Sequence, residues 1–282
     1  MAGSPTARRR RLSTELKKLR EKNSLTCAQV GAALDWSGSK VNRMETGGGR
    51  VQPSDVDALC RFYETTEELR EFLKSLARQA KTRSWWQVHG SGVPEWFSIY
   101  IGLEQDASTL RQYQCEVLPG LLQTESYARE LHTCGSYMPP EDIDRAVRVR
   151  LERQAMISAP DAPDCWFVVN EGALRRVIGD RELMRAQLEH VLDAVQRPSV
   201  TLQVLPFDAG TSPTTGPFTM LGFPDPEDPD IVYRDGITDA MYLEGDPHVR
   251  EYNRAFDELR AAALSPRRTT QLINNVMKES TR

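Results

Sequence analysis

Apolar residues in the first third of the chain recur three and four positions apart, the spacing of helices that bury one face. Leu12, Leu16 and Leu19 share a face of a first helix ending near Asn23. Thr26 is placed to cap a second helix with Val30, Ala33 and Leu34 inward, and Asp35-Trp36 forms a very short turn. Ser37 caps a third helix with Val41 and Met44 inward, which Thr46-Gly47-Gly48-Gly49 stops with residues that tolerate left-handed backbone. Pro53 and Ser54 open a fourth helix around Val56, Leu59 and Phe62, and Leu69, Phe72, Leu73 and Leu76 mark a fifth. The pattern predicts an all-α five-helix domain over residues 12–84, preceded by a basic arm over residues 1–11.

Beyond Trp85 the texture changes, with Trp85-Trp86, Trp96-Phe97 and Tyr100 crowded among Gly90, Gly92 and Pro94. Thr124 caps a helix with Tyr127 and Leu131 inside, and after Pro139-Pro140 a long charged helix runs from Glu141 to about Ile157. Cys165 to Val169 reads as a strand, and Asp180 caps an amphipathic helix that Pro198 ends. Further strands are predicted at Val200–Leu205, Phe218–Phe223, Ile231–Tyr233 and Ile237–Leu243, the last two flanking an Asp235-Gly236 hairpin signal. Asp246-Pro247 and Ser265-Pro266 open two closing helices. The expectation over residues 85–282 is therefore an α+β domain with antiparallel strands, and the whole chain is multi-domain.

A length of 282 residues suits two globular units, and 27% charged residues suit an ordinary soluble chain. No uncharged apolar run approaches the roughly 18 residues needed to cross a bilayer. The basic start is followed by a charged helix instead of an apolar signal core, which points to a cytoplasmic, nucleoid-associated location. Five cysteines without a Cys-x-x-Cys pair read as reduced thiols. The net charge of −4 hides an asymmetry: residues 1–84 hold 17 basic and 10 acidic groups, against 19 and 30 beyond them. A basic small domain on an acidic body suits a polyanion partner, because phosphate neutralisation releases counterions.

Helices two and three with their tight turn have the layout of a helix-turn-helix, whose second helix enters the major groove. With Val41 and Met44 turned inward, Gly38, Ser39, Lys40, Asn42 and Arg43 are left outward. Arg43 suits guanine and Asn42 adenine, while Ser39 and Lys40 suit phosphates. The stretch from Leu25-Thr26-Cys27-Ala28-Gln29-Val30 to Arg43-Met44-Glu45-Thr46-Gly47 resembles the Cro/CI, or xenobiotic-response-element, family of DNA-binding domains. The resemblance implies contacts to double-stranded DNA from Thr26, Cys27, Gln29, Ser37, Gly38, Ser39, Lys40, Asn42 and Arg43. Cys27 departs from the family's usual phosphate-contacting Gln, and Asp35 from its turn Gly. Arg8, Arg9, Arg10 and Arg11 are candidates for a minor-groove arm. Modules of this kind bind paired half-sites, so a homodimer is expected.

In the body, Trp85-Trp86, Trp96-Phe97, Pro119-Gly120-Leu121-Leu122-Gln123-Thr124, Val204-Leu205-Pro206-Phe207, Gly216-Pro217-Phe218 and Phe223-Pro224-Asp225-Pro226 resemble the WhiJ-like actinobacterial regulators. That resemblance implies a transcriptional regulator paired, antitoxin-like, with a small protein encoded by a neighbouring gene. Trp85, Trp86, Trp96, Phe97 and Tyr100 are the candidate groove for a partner or a ligand. The scattered histidines and the acidic, proline-rich run from Asp225 to Asp230 fit no metal-site spacing, and no phosphate loop or nucleophile elbow is present. No metal, cofactor or catalytic residue is assigned. Three readings follow in order: a regulator whose body binds a partner protein, a regulator with a small-molecule sensor, and a DNA-tethered enzyme.

Overall fold

The computed structural model describes residues 5–46, 51–80, 94–135, 139–210, 216–226 and 228–280. It divides into two units, Met1–Val88 and His89–Arg282. The first contains α1 (Pro5–Lys22), α2 (Cys27–Ala33), α3 (Gly38–Glu45), α4 (Pro53–Phe62) and α5 (Glu67–Gln79). Leu12, Leu16, Val30, Val41, Met44, Val56, Leu59, Leu73 and Leu76 form its core. Two details differ from the periodicity: Ala33 is exposed, and Phe72 is 40% exposed. The larger correction concerns the arm, because Arg8, Arg9, Arg10 and Arg11 lie within α1. Proline at the first helical position and a run of arginines, good helix formers, extend the helix toward the amino terminus.

One ion pair locks this unit across its length. Arg20 on α1 donates from Nε to both carboxylate oxygens of Glu45 at the end of α3, at 2.8 and 2.9 Å, and from Nη1 to the Leu25 carbonyl at 2.7 Å. The Glu45 side chain is 5% exposed, and both of its oxygens share the one Arg20 Nε–H.

The second unit begins with α6 (Glu95–Asp106), which leads into β1 (Thr109–Gln114). Neither was legible in the hydrophobic pattern. Then follow α7 (Glu125–Gly135), α8 (Pro140–Gln154), β2 (Asp164–Asn170), α9 (Glu171–Arg175), α10 (Arg181–Ala194) and β3 (Val200–Leu205). The chain closes with β4 (Phe218–Gly222), β5 (Ile231–Asp235), β6 (Ala240–Leu243), α11 (Asp246–Ala262) and α12 (Pro266–Ser280).

The six strands form one mixed sheet in the order β3-β2-β1-β4-β5-β6. The expectation of antiparallel strands holds for β1-β4-β5-β6, whereas β1 pairs with β2 and β2 with β3 in parallel. Parallel neighbours need long crossovers, which the helices between β1 and β3 supply. Both faces are covered. Tyr127, Leu188, Val191 and Ile273 pack with Leu110, Phe167 and Leu202 on one side, and Phe256 and Leu259 with Val168, Met220 and Val232 on the other. Double coverage explains why β2 reads as an unbroken apolar run. The β3 edge is covered too, for Val204 donates its N–H to Thr269 Oγ1 and accepts at its carbonyl from the Leu264 N–H.

Glu45→Gln is expected to lower the stability of the helical unit by about 3 kcal/mol, the low end for breaking a buried ion pair. Urea unfolding followed by circular dichroism checks this, and a change below roughly 0.5 kcal/mol would equate the pair with an exposed one.

Candidate functional site

Capping sets the entry of both helices in the helix-turn-helix. Thr26 Oγ1 accepts the Gln29 N–H at 3.2 Å while Gln29 Oε1 accepts the Thr26 N–H at 2.8 Å, a reciprocal capping box. The Gln29 amide oxygen is thereby engaged. Ser37 Oγ accepts the Lys40 N–H at 3.1 Å and starts α3. Asp35 takes the left-handed φ of 56° that a turn glycine would supply, and the Trp36 N–H reaches the Gly31 carbonyl at 2.8 Å. Aspartate is among the side chains that tolerate this conformation, so the turn closes without glycine.

Close approach of α2 and α3 requires two glycines. A Cβ on Gly31 would lie 2.8 Å from the Trp36 carbonyl oxygen, and one on Gly38 would lie 3.1 Å from Ala28 Cα. Gly38 is therefore a packing residue against α2, which corrects its expected outward position. Lys40 is also diverted, because its Nζ lies 2.7 Å from Asp55 Oδ1 and 3.7 Å over the Trp36 ring. Both contacts tie its ammonium to the domain. Cys27 is half-buried, with Sγ 3.9 Å from Glu45 Oε2.

Ser39, Asn42 and Arg43 remain exposed, and their i, i+3, i+4 spacing puts them on one face of α3. Thr26, Gln29 and Ser37 are exposed at the amino ends of the two helices. Of the four arginines expected as an arm, Arg9 is exposed, while the Arg11 guanidinium sits 5.2 Å over the Phe72 ring.

The body holds a cavity of about 440 Å³ where β1 meets β4. Its location follows from the topology: after β1, β2 and β3 the chain returns to the opposite side of β1 to lay down β4. Such reversals leave a crevice at the carboxyl end of the central strand, the usual ligand position in open α/β sheets. A polar row crosses three strands here, with Gln112, Thr219 and Tyr233 in register on β1, β4 and β5. Gln112 Nε2 donates to Thr219 Oγ1 at 3.0 Å. The Tyr233 hydroxyl is buried and finds no hydrogen-bond partner among the described residues.

Phe97 and Tyr100 from α6 and Arg150 and Arg153 from α8 also line the cavity. Arg153 forks onto buried Glu104 at 2.6 and 2.7 Å, and Tyr100 donates its hydroxyl to the same carboxylate at 2.7 Å. Arg150 donates to Gln123 Oε1, yet its buried Nε has no acceptor and no carboxylate pairs with it among the described residues. Desolvation and the neighbouring Arg153 lower the Arg150 guanidinium to about 10, still cationic at neutral pH. Burial and Asp235 push the Tyr233 phenol up, so it stays a neutral donor.

Within the aromatic group expected to form a groove, the structure separates the members. Phe97 and Tyr100 face the cavity, whereas Trp96 packs edge-on to Phe97 and accepts at its carbonyl from Tyr242. Trp85 and Trp86 lie outside the described residues, as do Gly47, Gly48 and Gly49. Sequence reasoning missed Gln112, Thr219, Tyr233, Arg150 and Arg153. The one available signal was the Arg150-x-x-Arg153 spacing on a predicted helix.

A capped helix-turn-helix with an exposed polar face on its second helix defines a DNA-binding regulator. Residues 11–73 match a family described as a helix-turn-helix domain, and residues 97–275 match one described as "Domain of unknown function (DUF5753)". The second match spans well over half of the chain, and the chain belongs to that family. No curated protein and no solved structure matches it.

Burial, and secondarily Arg150, hold the His132 imidazole down at about 4 against an ordinary 6.5. The unfolded chain thus binds a proton here that the folded body refuses, and stability contributed by neutral His132 is lost as pH falls from 6.5 toward 4. His132→Gln is expected to flatten the dependence of the body's melting temperature on pH in that window, and an unchanged slope would show that His132 titrates normally.

Proposed function

We propose that the protein is a sequence-specific DNA-binding transcriptional regulator that binds paired half-sites as a homodimer. The observation that carries this reading is the exposed Ser39, Asn42 and Arg43 face on a helix whose capping and packing leave those side chains unspent. In this reading Arg43 forks onto a guanine and Asn42 bridges an adenine, while Ser39, Ser37, Thr26, Gln29 and the helical Arg9 hold phosphates. Lys40 supports the helix through Trp36 and Asp55, and Cys27 and Gly38 act through packing.

The body is the regulator's input. A cavity with buried donors favours a small-molecule signal, the sensor reading. The resemblance to WhiJ-like regulators supports the other input, a small antitoxin-like partner encoded nearby. Co-purification of such a protein from the native host distinguishes the two.

Fluorescence anisotropy on DNA from the protein's own upstream region, against a scrambled duplex across a salt series, tests the DNA reading. The native duplex is expected to bind more tightly, and Arg43→Ala is expected to cost about 1–3 kcal/mol on it while leaving the scrambled duplex unchanged. Equal affinity for both duplexes, fading together with salt, would overturn sequence-specific recognition. An inverted repeat with half-sites about 34 Å apart is expected in the bound DNA, and its absence would count against the dimer.

A further inference from the structure

The cavity at the β1/β4 junction carries a specific charge pattern. Its two cations are not equivalent, because Arg153 is neutralised by Glu104 within the fold while Arg150 has only the neutral Gln123 amide. Arg150 therefore has no ion-pair contact among the described residues, and Glu104 and Asp235 act on its charge only from farther away. Two carboxylates line the same cavity: Glu116, which pairs with Arg176, and exposed Asp235. Arg150 keeps hydrogen-bonding capacity for a single carboxylate, whereas the second charge of a dianion such as phosphate would meet Asp235 with no further cation to balance it.

Two polar atoms of the lining lack partners among the described residues, Arg150 Nε and the hydroxyl of Tyr233, itself 4% exposed. Leaving buried donors unsatisfied costs free energy, so a molecule offering acceptors to both gains what the fold leaves unused. Apolar contact is supplied by Phe97, Tyr100 and Leu131, with the Phe97 and Tyr100 rings stacked at 5.5 Å. At about 440 Å³ the space is that of a small organic molecule.

We propose that this cavity binds a small organic monocarboxylate with an aromatic body, its carboxylate paired with Arg150 and a second acceptor on the molecule receiving the Tyr233 hydroxyl. The carboxylate forms charge-assisted hydrogen bonds with the guanidinium, and the ring lies against Phe97 and Tyr100. As the signal of a regulator the acid deepens the function proposed above and rests on that reading for its meaning. Occupancy of the cavity is measured without DNA.

The full chain is titrated by calorimetry with benzoate, para-acetylbenzoate and indoleacetate, with the primary amide of each, and with inorganic phosphate. At least one carboxylate is expected to bind with a Kd of about 1 mM or tighter, and its amide roughly tenfold or more weakly. Para-acetylbenzoate is expected to bind more tightly than benzoate, and Tyr233→Phe to erase that difference while leaving benzoate unaffected. Arg150→Gln is expected to abolish carboxylate binding. Amides binding as well as acids, phosphate binding in place of them, no binding by any member of the panel, or an Arg150→Gln protein with full affinity would overturn the proposal. Should Arg150→Gln fail to fold, the acid and amide pairs on the unaltered protein decide. Loss of sequence preference in the anisotropy experiment would remove the regulatory meaning and leave the calorimetric result standing, so the two failures are separable.

Discussion

The body of this protein is organised around one buried ion pair, Glu104 on α6 with Arg153 on α8. Both charges are almost completely removed from water, at 0% and 6% exposure, an arrangement that costs more than it returns unless every polar atom is matched. Matching is achieved by the two-point fork, by the Tyr100 hydroxyl and by the Phe97 and Tyr100 rings, 5.0 and 5.3 Å from the guanidinium. The pair fixes α8 relative to α6 and holds both against the cavity. Arg150, nearly one helical turn earlier, is thereby held against the same cavity with no ion-pair contact of its own among the described residues.

The helix-turn-helix unit uses the same device in smaller form. Arg20 and Glu45 bind the first helix to the end of the third, and Lys40 is drawn onto Trp36 and Asp55. Charged residues that sequence patterning places at a surface are consumed in holding the helices together. What remains available on α3 is a narrow face of Ser39, Asn42 and Arg43, and this selection is what turns a basic helix into a candidate reading surface.

The sheet explains where the body's chemistry lies. Parallel pairing of β1, β2 and β3 forces helical crossovers, and the return to β4 on the far side of β1 opens a crevice there. Strand β1 is the hinge of this topology and the least apolar of the central strands. Its Gln112 and Gln114 line the cavity, and Arg111 donates to Asn253 on α11. The polar character that places it at the site also hides it from hydrophobic periodicity.

Local signals in the sequence therefore determined much of the secondary structure. Thr26, Ser37 and Asp180 cap the helices expected of them, and the strands at Cys165–Val169 and Val200–Leu205 formed, because capping and burial patterns act within one turn or one strand. The extent of α1 was missed, since a run of arginines carries no apolar period to mark a helix. The packing of Gly38 on Ala28 and the pairing of Lys40 with Asp55 carry no local signal, because those neighbours come from other helices. Only the tertiary structure decided the parallel half of the sheet, the position of β1 and the cavity. Those depend on pairs such as Gln112 with Thr219 and Glu104 with Arg153, which lie 107 and 49 positions apart and meet only when the sheet closes and the helices dock on it.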